Sequence, residues 1–162
     1  MSGRGMARGN AMIRAMRLPD IEAVVGLRFG AFFAGTGRTT REDADGLLRI
    51  IEAAAFDHAL VAEIDGVVVG SVLLVAEELE PMHDVSPWLA GLVVAPDHRG
   101  RGIGAALVRA TEARAAAMAC PILHLYTGAA EPFYTALGWI VSDRFMQDGY
   151  PEVLMTRSIS EA

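Results

Sequence analysis

Two short stretches carry residue types and spacings that can do chemistry. The first is Arg99-Gly100-Arg101-Gly102-Ile103-Gly104-Ala105, in which three glycines alternate with two arginines and one isoleucine. Glycine tolerates left-handed dihedrals and lets an anion come close to the backbone. A helix opening at this point leaves N–H groups without partners and sets partial positive charge beside them. With Arg99 and Arg101 adding formal charge, the stretch reads as a cradle for a phosphate or pyrophosphate. The second is Glu131-Pro132-Phe133-Tyr134-Thr135-Ala136-Leu137-Gly138-Trp139, which places a phenol in a short helical segment. A phenol with an unperturbed pKa of about 10 is protonated at neutral pH and can donate a proton.

The elements that must hold these residues follow from patterning. Leu89 to Ala95 is an apolar run that reads as a buried strand, ended by Pro96-Asp97-His98. The helix opened by the glycines runs through the Ala-rich segment to about Met118, and Ile122 to Thr127 is the next strand. A strand, a helix and a strand of one sheet make a right-handed parallel crossover. Three phosphate-binding readings compete. G-x-x-x-x-G-K-[ST] needs a lysine, and all fourteen basic residues are arginine. Gly100, Gly102 and Ala105 satisfy the dinucleotide pattern G-x-G-x-x-A. Against it, Ala95 to Arg99 separates strand from glycine, and no acid ends the following strand.

The third reading rests on a resemblance. Val94-Ala95-Pro96 followed by Arg99-Gly100-Arg101-Gly102-Ile103-Gly104 resembles the acetyl-CoA motif of the GNAT superfamily of N-acetyltransferases. The Phe133-Tyr134 to Gly138-Trp139 segment is similar to that superfamily's F-Y-x-x-x-G-[FW] signature. The resemblance implies acetyl-CoA as co-substrate, with no metal. The backbone of Leu92, Val93 and Val94 would pair with the pantetheine arm. Arg99, Gly100, Arg101, Gly102, Ile103, Gly104 and Ala105 would hold the pyrophosphate, with Phe133 beside them. Tyr134 would protonate the leaving thiolate. A base for the amine stays open: His124 on the Ile122–Thr127 strand, Asp84 with its neighbour His83, Glu80, or water. A histidine takes a proton directly or through water, and a histidine filling a sheet face accounts for His124 equally well.

Around these stretches the order reads β-α-α-β-β-β-α-β-α-β-β. Met12 to Met16 is a first strand. Pro19-Asp20 opens a helix carrying Ile21, Val24, Val25, Arg28 and Phe32 at helical spacing, which Gly35-Thr36-Gly37 breaks. Thr40-Arg41-Glu42-Asp43 has the spacing of a capping box, with Asp in place of Glu. The helix after it carries Leu47, Leu48, Ile51, Ala54 and Ala55 on one face. Ala59 to Ile64 and Val67 to Val75 flank Asp65-Gly66, a type I′ hairpin signal. Two final strands, Ile140 to Phe145 and Val153 to Ile159, surround Asp148-Gly149-Tyr150-Pro151. The expected fold is α/β, a central mixed sheet of about six to seven strands with helices on both faces. Residues 1–10 are expected to be a flexible tail and 11–160 one N-acetyltransferase domain.

With 52% apolar and 21% charged residues, the chain has the composition of a globular protein. A net charge of −6 argues against general nucleic-acid binding. No apolar run approaches the roughly 20 residues that span a bilayer. The single cysteine, Cys120, reads as buried filler and fits a reducing, cytoplasmic setting. Four scattered histidines and one cysteine have no metal-ligand spacing. Glu77, Glu78, Glu80 and Asp84 cluster ahead of the central strand. They are either a solvated loop or an acidic mouth that draws in a cationic amine. The expected partner is therefore a small-molecule amine, cationic by preference; the alternatives are acetylation of a protein or peptide amine, and a sensor that binds acyl-CoA without turnover. A homodimer is also expected, because the last strands would leave an edge to cover.

Overall fold

A computed structural model describes residues 5–7, 11–53 and 56–159. Within them the elements are β1 (Gly5–Ala7), β2 (Ala11–Ala15), α1 (Ile21–Arg28), α2 (Thr40–Glu52), β3 (His58–Ile64), β4 (Val67–Val75), β5 (Trp88–Val94), α3 (Ile103–Ala117), β6 (Ile122–Thr127), α4 (Glu131–Ala136), β7 (Ile140–Gln147) and β8 (Tyr150–Ser158). The sheet has eight strands among the described residues, in the order β1-β2-β3-β4-β5-β6-β8-β7. The strand beyond the expected count is Gly5–Ala7, paired with β2 inside the segment read as a tail. The rest of that tail, 1–4 and 8–10, lies outside the described residues, as do Ala54 and Ala55.

Every neighbouring pair is antiparallel except β5 and β6, which α3 joins as the expected parallel crossover. Asp65 and Gly66 both hold positive φ, the type I′ turn foreseen between β3 and β4. Asp148 and Gly149 make a second such turn, so β7 and β8 run up to it and Pro151 is a strand residue. Pro151 is tolerated there because β6 begins to pair with β8 only at Val153.

The two faces of the sheet carry separate apolar clusters. On one, Ile103, Leu107, Val108 and Ala115 of α3 pack with Leu60, Leu74, Leu123, Leu125 and Trp139. On the other, Val24, Val25 and Leu47 from α1 and α2 pack with Val61, Leu73, Trp88 and Ala90. The alternation along β6 explains the division: Leu123 and Leu125 enter the first cluster, and Tyr126 joins the second.

The cap of α2 sits one residue earlier than the sequence reading. Thr39 Oγ1 accepts from the Glu42 N–H at 3.0 Å and Glu42 Oε1 accepts from the Thr39 N–H at 2.8 Å. This is a T-x-x-E box in its ordinary form, and Asp43 is released for another role. Thr39→Ala is expected to lower stability by about 1 kcal/mol, read as a shift in urea midpoint at constant m. No loss would mean that packing alone holds the helix end.

Candidate active site

Strand β5 is bent where the site lies. Leu73 pairs with Ala90 and Ser71 with Val93, so Gly91 and Leu92 together face a single residue of β4. Gly91 has φ +63°, a value that favours glycine. Past this bulge β5 leaves β6. Their one registered pair among the described residues is Trp88 with His124, and the His124 N–H donates to Pro87 O at 3.1 Å. Strand β6 meanwhile stays paired with β8 from Ile122 to Thr127. A wedge-shaped gap therefore opens in the middle of the sheet.

The backbone groups that face this gap lack ladder partners, and buried peptide groups require them. The Ala95 N–H donates to Val69 O at 2.7 Å, so Ala95 and Val93 turn toward β4. By the alternation of a strand, Leu92 and Val94 turn into the gap. Of the three residues expected to meet a pantetheine arm, two thus point their peptide groups the right way, and Val93 is the ladder partner of Ser71.

The glycine loop lies at the open end of the gap. Gly100 and Gly102 hold φ +77° and +82°, and Gly102 is the residue from which α3 starts. The first helical bond runs from the Ala106 N–H to Gly102 O at 3.0 Å, so the N–H groups of Ile103, Gly104 and Ala105 are free of helical acceptors. Ile103 is buried and anchors this turn, while Arg99 and Arg101 are exposed. Arg99 Nε donates to Val94 O at 3.2 Å, folding the loop back on the end of β5. A Cβ on Gly104 would stand 3.4 Å from the Phe133 ring and 3.7 Å from Val94, so α3, α4 and β5 meet closely here. Free donors at a helix start, joined to unpaired strand edges, match a ligand with a pyrophosphate at one end and an extended amide-bearing arm at the other.

The gap leads into a cavity of about 910 Å³. Its walls come from α1 and α2, from the strand residues Leu73, Val75 and Leu89–Leu92, from the Glu77–Leu79 loop, and from Leu125–Thr127, Ala130 and Tyr134. Tyr134 is buried, and its hydroxyl has no hydrogen-bond partner among the described residues. Burial pushes its phenol up to about 12. Thr127 Oγ1 accepts from the Ala130 N–H at 3.0 Å, tying the start of α4 to the end of β6. Trp139, held by Glu112 Oε2 at 3.0 Å, packs its ring 6.1 Å from that of Tyr134. The signature's tryptophan thus fixes the tyrosine's place.

The expected bases fall elsewhere. His124 is buried against Trp88, its Nδ1–H donating to Pro87 O at 3.0 Å, and it does not line the cavity. Asp84 and Glu80 are exposed and outside the lining. His83 is held between the Tyr126 hydroxyl and Asp143, each at 2.7 Å. The lining acids of the loop are Glu77 and Glu78. Burial raises the Glu78 carboxyl above its ordinary value, and the Leu79 N–H, which donates to it, and then the charge of Arg28 partly offset the rise. In the sequence Glu78 was one member of an acidic run; only the folded loop brings it and Glu77 to the cavity, with Glu78 the more buried of the two.

Arg28 was also hidden in plain view, as the one charge in the stripe Ile21, Val24, Val25, Arg28, Phe32. It ends α1, is buried, and grips Asp43 of α2 through Nε at 2.9 Å and Nη2 at 3.1 Å. A π-helical turn, Phe29–Phe33, follows and brings Phe32 and Phe33 to the cavity wall. The guanidinium carbons of Arg28 and Arg38 stand 5.2 and 5.1 Å from the centre of the Phe33 ring. Cys120 is away from the cavity, with its thiol pushed up by burial, in keeping with a filler role. No described helix is long and apolar enough to cross a membrane.

Comparison with known proteins gives this geometry a context. Residues 55–141 match a family profile described as acetyltransferase (GNAT) domain. No curated protein matches the sequence. Among solved structures, an N-acetyltransferase from Staphylococcus aureus Mu50 superposes with a TM-score of 0.77 at 17% identity, covering 93% of this chain and 99% of the other. The Salmonella typhimurium protein yncA, solved with its cofactor acetyl-CoA, gives 0.74 at 20% identity over 94% and 96%. A variant of the spermidine N-acetyltransferase SpeG from Vibrio cholerae gives 0.72 at 18% identity over 94% and 96%. At these identities the structural likeness speaks to the fold.

Proposed function

The chain belongs to the GNAT acetyltransferase family and is an acyltransferase, and from that premise we propose that it moves the acetyl group of acetyl-CoA to a primary amine of a small molecule within one ternary complex. The observation that carries this reading is the wedge between β5 and β6, with the free helix start of α3 at one end and the Tyr134 hydroxyl in the cavity at the other. The Vibrio cholerae neighbour is named for spermidine, a small amine.

The residues divide the work as follows. The N–H groups of Ile103, Gly104 and Ala105 and the guanidinium groups of Arg99 and Arg101 hold the pyrophosphate. Leu92 and Val94 pair with the arm, which fixes the thioester near the Gly91 bulge and gives the amine a short, oriented approach. Glu78 takes a proton from the ammonium. The nitrogen then bonds to the acetyl carbon, the carbon–sulfur bond breaks, and Tyr134 hydrogen-bonds to the sulfur as charge builds there. A phenol near 12 is a weaker acid than an ordinary thiol, whose pKa is about 8.5. Its proton therefore passes to sulfur only as the acylated nitrogen gives up its second proton to the phenol oxygen; of the two protons the ammonium loses, one leaves through Glu78 to solvent and the other ends on sulfur.

The test is release of CoA thiol from acetyl-CoA in the presence of a panel of amines. Amine-dependent release supports the reading. Stabilisation by acetyl-CoA in a thermal scan, with no release from any amine, would replace it with that of a binder.

Glu78 must be ionised to act, and burial raises its pKa above 4.5. The acidic limb of kcat/KM is therefore expected above the ordinary carboxylate range, with activity lost as pH falls through it. Glu78→Gln should lower kcat about 100-fold and remove that limb. A limb that survives the substitution belongs to another group.

A further inference from the structure

The cavity is lined by groups of both signs, and the arrangement of its arginines bears on the acceptor. Asp43 is fully buried and receives two guanidinium groups, Arg28 through Nε and Nη2 and Arg38 through Nε at 3.0 Å. One carboxylate between two cations leaves a net positive charge in a place that water reaches poorly. Arg49, nearly two turns further along α2 and exposed, adds to it. A Cβ on Gly46 would stand 3.3 Å from Arg38 Nη2 and 3.8 Å from Arg49 Nη2, so the two head groups converge over that glycine. The cavity's other acids come from the segments flanking β3 and β4: Asp57, whose Oδ1 accepts from the Ala76 N–H, and Glu77 and Glu78, the last close enough to feel the charge of Arg28. None of them forms an ion pair with these arginines among the described residues.

Arg28 has a free edge. Its side chain is 6% exposed, and Nη1 has no hydrogen-bond partner among the described residues. That nitrogen lies 2.6 Å from where a Cβ of Gly91 would be, at the bulge where β5 leaves β6. The missing side chain at Gly91 is what lets a guanidinium approach the point at which the thioester would be presented. A buried cation with unused donors favours an anion, and a guanidinium edge matches a carboxylate.

Resting on the acetyltransferase reading, we propose that the acceptor is an α-amino acid, whose carboxylate binds Arg28, with Arg38 and Arg49 close by, while its amine faces Glu78. One carbon joins the two groups of such a molecule, so docking the carboxylate on Arg28 also fixes the nitrogen beside the bulge. A polyamine or an aminoglycoside offers no anion to the free edge of Arg28 and leaves that buried donor unmatched, which selects against it. The acidic loop remains in use, as the pole that receives the ammonium end.

The test compares free amino acids with their carboxamides and with the matching decarboxylated amines. Affinity for the CoA complex is measured by calorimetry, and CoA release is followed on the same panel. Acids should bind about 10- to 100-fold more tightly than amides, the range of a hydrogen bond to a charged group. Arg28→Gln should abolish that preference while acetyl-CoA still raises Tm. Arg49→Gln, at an exposed helix position that leaves the fold intact, should weaken the acids and leave the amides unchanged. Equal or better binding of amides or amines, no binding by any series, or a preference that survives both substitutions would each overturn the proposal. Turnover of decarboxylated amines without selectivity would overturn it while leaving the transferase reading in place. Acid-selective binding without CoA release would do the reverse.

Discussion

Tyr134→Phe is expected to lower kcat about 1,000-fold while leaving the affinity for acetyl-CoA unchanged, within the range for loss of a positioned acid. The substitution removes one oxygen from a ring that is otherwise packed against Phe133 and Trp139, at 5.0 and 6.1 Å between centroids. The cavity wall therefore keeps its shape. Among the described residues the hydroxyl has no hydrogen-bond partner, so no buried partner is orphaned and stability should hold. The loss is expected to be larger than for Glu78→Gln, because water can take a proton from the amine but has little access to a sulfur buried in the wedge. The readouts are steady-state release of CoA thiol and calorimetric binding of acetyl-CoA. A change in kcat below tenfold would remove Tyr134 from the chemistry and leave it a packing residue.

Asp43→Ala is expected to cost about 3–5 kcal/mol of folding free energy, the usual consequence of removing one partner of a buried ion pair. Three guanidinium hydrogen bonds end on this one carboxylate, which is fully buried. Without it Arg28 and Arg38 remain as two cations beside the same Phe33 ring. With total stabilities commonly about 5–15 kcal/mol, the loss would be visible as a large fall in urea midpoint at pH 7. A fall of less than about 1 kcal/mol, the size of an exposed pair, would show that Arg28 finds water or another acceptor. The same carboxylate orients the guanidinium proposed to bind substrate, so Asp43→Asn should affect the acceptor more than acetyl-CoA. Stability and specificity at this point are held by one group.

Much of the scaffold was legible because its signals are local. The Asp65-Gly66 turn, the Pro96 stop and the glycines of the α3 start each act on dihedrals of adjacent residues, and each appeared where expected. The hairpin at Asp148-Gly149 was read too long because Pro151 suggested a loop, whereas a strand with one free edge accepts proline. The capping box was read one residue late because Asp43 imitates the acid of the motif, and its real partners lie 15 and 5 residues back, at Arg28 and Arg38.

The site divides along the same line. The sequence by itself determined the glycine loop, the place of the signature tyrosine and the order of elements, since these depend on neighbours along the chain and on periodicity. Tertiary structure decided which acid enters the cavity, why His124 and Asp84 do not, and that a buried arginine faces the bulge. Those outcomes depend on where β5 parts from β6 and on how α1 and α2 close over the sheet. Side chains far apart in the chain, such as Arg28, Glu78 and Tyr134, come to line one cavity only when the chain folds.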